Sequence, residues 1–165
     1  FKDYKIKRSP HESIMFDKLN KLRPSGDFSV KCIWGAPILF DTKILNKIGF
    51  FNESFFLYFE DNELCVRIYK NNFYIIETPV SKCFHDVESK SNLNYRMIYL
   101  NSFHFILSQL IYFKINKKNS FYLKLRFFEY FVNFIKYLLK LNFKKSFINI
   151  SRMIGIIYFI FKKVK

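Results

Sequence analysis

Glu60 and Asp61 stand side by side after an aromatic run, Phe55, Phe56, Tyr58 and Phe59. They open a segment in which Leu64 and Ile68 recur at helical spacing while Glu63 and Arg67 form an i,i+4 pair of opposite charge. Both carboxylates therefore fall in the first turn of a helix. There the unpaired backbone N–H groups and the helix dipole favour negative charge, so a carboxylate is expected to stay ionised near neutral pH and to be able to accept a proton. A fixed proton acceptor suits reactions in which a hydroxyl attacks and must lose its proton as it does so. Taken alone, such a pair reads first as a helix cap, and a histidine after a strand, here His85, reads first as a structural or surface residue.

The elements that must position these groups follow from the pattern. Loop and irregular structure is expected to about residue 28, with Pro10, Pro24 and Gly26 as breakers, then a strand near Ser29 to Ile33. A second strand near Ile38 to Phe40 should run into a helix from Asp41 to Lys47. Phe73 to Glu77 and Val80 to Phe84 are short, partly β-branched runs split by Pro79, and they read as extended segments beside the acidic helix, with His85 at the end of the second. Helices should follow at about 92–113, 120–141 and 145–161. This succession, strands with helices and then helices alone, gives an α/β class with a helical extension. His104, inside the apolar run FHFILSQLIYF, reads as a packing residue.

The order of residues from Gly49 onward resembles the C-terminal half of the catalytic domain of family 2 glycosyltransferases, the rhamnosyltransferase-like members above all. Their pattern is roughly GxFDExFFxYxEDxDLxxRxxxxGxxxxxxPxxxxxH. Gly49, Phe51, Glu53, Phe55, Phe56, Tyr58, Glu60, Asp61, Leu64, Arg67, Pro79 and His85 fall on it in order. Trp34, Gly35 and Ala36 look like the family's small-residue turn. Three positions depart from the pattern: Asn52 and Glu63 each stand where the family has Asp, and Asn72 where it has Gly after the acidic helix. Asn tolerates the left-handed backbone such a turn needs, and Glu63 keeps its charge. Asn52 removes a charge beside the site.

The resemblance implies the C-terminal half of a GT-A domain over residues 29–91, after an irregular segment over 1–28 that continues from a missing N-terminal half; the residue pattern and charge add a helical, basic, amphipathic extension over 92–165. The resemblance also implies an inverting transfer from a nucleotide-sugar donor to a saccharide or lipid-linked saccharide acceptor in the making of a bacterial surface polysaccharide. Asp61 aligns with the general base, and Glu60 with a residue that hydrogen-bonds the acceptor or orients the loop. His85 matches the histidine that completes a divalent-metal site, Mg or Mn, under the donor diphosphate. Trp34, Gly35 and Ala36 would border the sugar pockets, although a core Trp beside a tight turn fits equally. Arg67 reads as the structural partner of Glu63. The family's Asp-x-Asp metal motif occurs nowhere in these residues, and an upstream half carrying it is expected. An inactive remnant of such an enzyme, or a non-enzymatic membrane-surface protein, are the alternatives.

Charge gives the second clue. Residues 1–113 carry 15 Lys or Arg against 12 acids, a net of +3, whereas residues 114–165 carry 13 against the single acid Glu129, a net of +12. From Leu123 an apolar stripe at Leu123, Phe127, Phe131, Phe134, Leu138 and Leu141 is expected opposite Glu129, Asn133, Lys136 and Lys140, an amphipathic helix. The longest apolar run, Met153 to Phe161, holds nine residues; a spanning helix needs about 20. Residues 119–165 are therefore expected either to dock on an anionic membrane surface, with the protein peripheral to the inner face of the cytoplasmic membrane, or to pack on the rest of the chain. Nucleic acid is not an expected partner, since no RNP-type run, zinc-finger spacing or Gly-rich phosphate loop accompanies the charge. Cys32, Cys65 and Cys83 are odd in number and widely spaced, which suggests reduced thiols rather than a disulfide framework or a zinc site.

Overall fold

The computed structural model describes residues 26–33, 38–81, 94–116 and 121–161. Trp34, Gly35, Ala36 and His85 lie outside them. Among the described residues the fold mixes α and β and is mostly helical, with five helices and a two-stranded sheet. Strands β1 (Phe28–Val30) and β2 (Ile75–Glu77) pair antiparallel, Ser29 opposite Ile76. The strand expected at Ile38 to Phe40 does not form. Those residues run irregularly toward the first helix with Leu39 fully exposed, and no partner strand among the described residues meets their backbone groups.

Helix α1 (Thr42–Ile48) is started by Asp41, whose Oδ1 accepts a hydrogen bond from the Lys43 N–H at 2.8 Å. It stops at Gly49, where φ is +88°. Helix α2 (Glu60–Lys70) is the predicted acidic helix, with Leu64 and Cys65 buried on its inner face. Its end is a Schellman turn: Phe73 N–H donates to the Ile68 carbonyl and Asn72 N–H to Tyr69, with Asn72 left-handed at φ 59°. The departure from Gly at Asn72 thus meets the backbone requirement of that turn.

Three long helices follow: α3 (Tyr95–Ile115), α4 (Phe121–Leu139) and α5 (Phe143–Phe161). Asn94 caps α3 through the Met97 N–H, and Asn142 caps α5 through the Lys145 N–H. α5 packs on both α3 and α4 and so lies between them. Their shared core is Ile106 and Leu110 of α3, Tyr130 of α4 and Ile156 of α5, with Leu123, Phe127, Met153 and Phe159 packed against it. Burying each large aliphatic side chain there contributes about 1.5–3 kcal/mol. The face of α5 toward its neighbours is built from small residues. Ser151 is fully buried with its hydroxyl turned back to the Phe147 carbonyl, and a Cβ on Gly155 would lie 2.5 Å from Ile106 Cγ2. Close approach of α3 and α5 depends on that missing atom.

The single stripe expected on α4 is split. Leu123, Phe127 and Phe134 turn inward with Tyr130, whereas Phe131, Leu138 and Leu141 are exposed. Two steps of four residues carry Phe131 about 80° round the helix from Leu123, out of the contact line with α5. Glu129, Lys136 and Lys140 are exposed as expected.

Candidate functional site

The acids are presented by a strained turn. Tyr58 and Phe59 both have left-handed backbones, φ 67° and 65°, immediately before Glu60 begins α2. Two successive non-glycine residues in that region cost roughly 1–2 kcal/mol each, so the surrounding structure must hold them. Three sets of contacts do so. From α3, the buried Ser108 hydroxyl donates to the Leu57 carbonyl at 2.7 Å. The Phe105 ring meets both Tyr58 and Phe59 at 5.7 and 5.8 Å, Tyr112 meets Phe59 at 5.5 Å, and the His104 ring lies tilted against Phe56 at 4.6 Å. His104 is thus a packing residue, and burial pushes its pKa below the usual imidazole value. At the start of the turn, the Asn52 side-chain oxygen accepts from the Ser54 N–H at 2.9 Å. An amide oxygen therefore performs the capping task for which an Asp would serve.

The third support is Arg67. Its Nε donates to both oxygens of buried Glu63, at 2.7 and 2.9 Å, while Nη1 donates to the Ile48 and Gly49 carbonyls and Nη2 to Phe50. One planar guanidinium ties α2 to the end of α1, with a fork geometry that Lys lacks. A Cβ on Gly49 would stand 3.2 Å from Nη1, so Gly49 serves both the positive φ and the clamp. Arg67 is the structural partner of Glu63.

In this frame Asp61 is half-buried, its Oδ1 accepting from the Asn62 N–H at 2.7 Å and the Asn62 amide at 3.4 Å. Asn62 in turn accepts from the Cys32 thiol at 3.1 Å, which ties the end of β1 to the acidic helix. Glu60 is also half-buried, and its Oε2 is shielded from solvent and accepts no hydrogen bond among the described residues. Such an oxygen costs about 1–3 kcal/mol unless a partner arrives. Burial, and secondarily the charge of Glu60, raise the Tyr58 pKa above its usual value, so this phenol stays a donor beside the carboxylate. The group can accept a hydroxyl's proton at Asp61 and hold a second polar group at Glu60.

His85 and the Trp34–Gly35–Ala36 turn lie outside the described residues, so the structure does not place them relative to Asp61. Among the described residues no group of three His, Cys, Asp or Glu side chains is gathered to hold a metal ion. The metal expectation, placed on His85, lies outside the described residues. Sequence reasoning missed Phe105, Ser108 and Tyr112 as supports of the acidic turn; the one signal was a serine inside the apolar run FHFILSQLIYF. No protein-family model, no curated protein and no solved structure matches the chain.

Proposed function

We propose that the chain is the acceptor-side portion of an inverting glycosyltransferase, with Asp61 as general base. The observation that carries this reading is the acidic pair itself, held in the first turn of α2 by an aromatic turn of left-handed backbone, with one Glu60 oxygen unpaired among the described residues. Strain of this kind is retained where a site needs a fixed geometry. An acceptor hydroxyl attacks the anomeric carbon of a nucleotide-activated sugar. The new C–O bond forms as the bond to the diphosphate breaks and its electron pair leaves with the nucleotide. Asp61 takes the hydroxyl proton, a contribution of about 10²- to 10⁴-fold in rate. Glu60 Oε2 accepts a hydrogen bond from a neighbouring hydroxyl of the acceptor and so fixes its approach.

The remaining parts come from the resemblance in the sequence. Trp34, Gly35 and Ala36 would border the sugar pockets, and His85 would help hold a divalent metal that offsets charge on the departing diphosphate. The acceptor would be a surface polysaccharide or a lipid-linked oligosaccharide. Asp61→Asn in the full-length gene product is the test. It keeps the side chain's shape and its ability to accept from Asn62, but it cannot take up the proton. Sugar transfer from labelled nucleotide-sugars should fall by about 10²- to 10⁴-fold, with the melting temperature unchanged. Undiminished transfer would reject the proposal.

A further inference from the structure

The outer surface of the α4–α5 hairpin is apolar beyond what packing requires. On α4, the face turned away from α5 carries Leu125, Phe128, Val132, Ile135 and Leu139, all exposed, Leu139 to 79 %. Phe131, Val132, Ile135 and Leu139 line a shallow groove whose edge is formed by Lys136 and Lys140. On α5, Phe143, Ile150, Ile154, Ile157 and Phe161 are exposed as well, spaced so that they form one line along the helix. The two helices have 19 residues each, so the surface runs for about 28 Å.

Charge identifies what covers it. The sole acid in residues 114–165 is Glu129, and Arg126 binds it at 2.9 Å on the polar strip of α4. Lys136, Lys140, Lys144 and Lys145 are exposed around the α4–α5 turn. A large apolar face bordered by charge of one sign matches a headgroup layer of anionic lipid, where chains take the apolar residues and phosphates take the lysines. Among the described residues no helix is long and apolar enough to cross a membrane. The hairpin would therefore lie in the surface plane.

We propose that the outer face of α4 and α5 docks on an anionic lipid surface, through the exposed apolar line of α5, the groove of α4 and the lysines at the turn between them. This does not depend on the sugar-transfer reading. It also differs from a single amphipathic stripe, because the residues that reach lipid are those that the stripe of inward residues leaves outside.

The test is flotation of the full chain with vesicles of phosphatidylcholine, with and without phosphatidylglycerol. Binding is expected to the mixed vesicles and to weaken when salt is raised from about 0.1 M to about 1 M, which shortens the Debye length from about 10 Å to about 3 Å. Lys136→Gln with Lys140→Gln should lower partitioning about 25-fold, from about fivefold per basic residue. Ile135→Ser with Ile154→Ser and Ile157→Ser should abolish it with the circular dichroism and melting temperature retained, since all three side chains are exposed. Equal binding to neutral vesicles, or unchanged flotation of the triple variant, would overturn the proposal. So would a wild-type chain that does not float but self-associates, and becomes monomeric in the triple variant, since the face would then belong to a second copy.

Discussion

Gly155→Ala offers a sharp test of how the helices that hold the acidic turn are packed. The added Cβ would lie 2.5 Å from Ile106 Cγ2 and 3.1 Å from the Phe103 carbonyl oxygen. Carbon atoms pack best at about 3.5–4.0 Å, so α3 and α5 must separate by about 1 Å or Ile106 must leave its rotamer. Ile106 is fully buried, and the Phe103 oxygen belongs to the backbone, so neither has free space to move into. Overpacking of this kind costs about 1–3 kcal/mol, and the double obstruction puts it near the upper figure. Alanine's better helix propensity returns about 1 kcal/mol, which leaves a net loss of about 2 kcal/mol. For a chain of this size that lowers the melting temperature by about 4–8 °C. Urea denaturation of a double-mutant cycle isolates the contact. Ile106→Ala alone should cost about 2–5 kcal/mol, and adding Gly155→Ala to it should cost under about 1 kcal/mol, since only the 3.1 Å approach to the Phe103 carbonyl remains and helix propensity offsets it. A Gly155→Ala protein more stable than wild type, or additive effects in the cycle, would refute the reasoning.

Two further outcomes follow from the support of the site. Arg67→Lys keeps the charge but cannot serve Glu63 and three carbonyls at once, so urea denaturation should show a loss of about 2–3 kcal/mol; a loss under about 0.5 kcal/mol would mean that the clamp contributes nothing. Because burial lowers the folded-state pKa of His104, the unfolded chain binds the proton more readily, and this contribution to stability is complete above the unfolded value and declines as pH falls from about 6.5 toward the folded one. The melting temperature should therefore drop less between pH 7 and pH 5 in His104→Gln than in wild type, and parallel pH profiles would remove His104 as a cause.

Legibility in the sequence followed how local the physics was. The three long helices were readable because their long apolar stretches are a local signal, and α2 was readable because its acids, its apolar spacing and its Glu63–Arg67 pair agree. Asn72 was readable as a left-handed turn residue because it stands where the resembled pattern has Gly and Asn tolerates that backbone. Leu141 was not: it adopts φ 54° at the C-terminal turn of α4, where the Leu141 and Asn142 N–H groups close on the Leu138 and Tyr137 carbonyls. A leucine gives no sign of that conformation, and only the demand of a tight hairpin into α5 imposes it. Tyr58 and Phe59 were hidden similarly, since aromatic residues in sequence suggest extended backbone rather than two left-handed turns. Their support comes from Phe105, Ser108 and Tyr112, more than 40 residues away, and no local pattern encodes that pairing. The α4 stripe departs from the expected one for a related reason. An apolar residue at helical spacing can face the core or the outside, and Phe131 and Leu138 face outside because α5 contacts a narrower line.

These contacts change how the basic helices relate to the acidic pair. A reading of residues 92–165 as an extension treats them as separable, yet α3 supplies the rings and the Ser108 hydroxyl that hold the left-handed turn before Glu60. α5 in turn braces α3: Gly155 seats against Ile106, and the Arg152 guanidinium lies over both the Phe105 ring and the Tyr130 ring at 5.4 and 5.3 Å. A chain of contacts therefore runs from the α4–α5 hairpin through Phe105 to the turn that presents Glu60 and Asp61. Deleting residues 119–165 would strip one face of α3 as well as removing the proposed lipid surface, and a loss of activity would not distinguish the two causes. Substitutions on the exposed face of α4 and α5 leave Phe105, Arg152 and Gly155 in place. If the hairpin serves only as an anchor, such variants keep full activity on a soluble acceptor while losing it on one embedded in vesicles. If the hairpin instead acts on the site through α3, both activities fall together, and the contact through Arg152 and Phe105 is the route by which they do so.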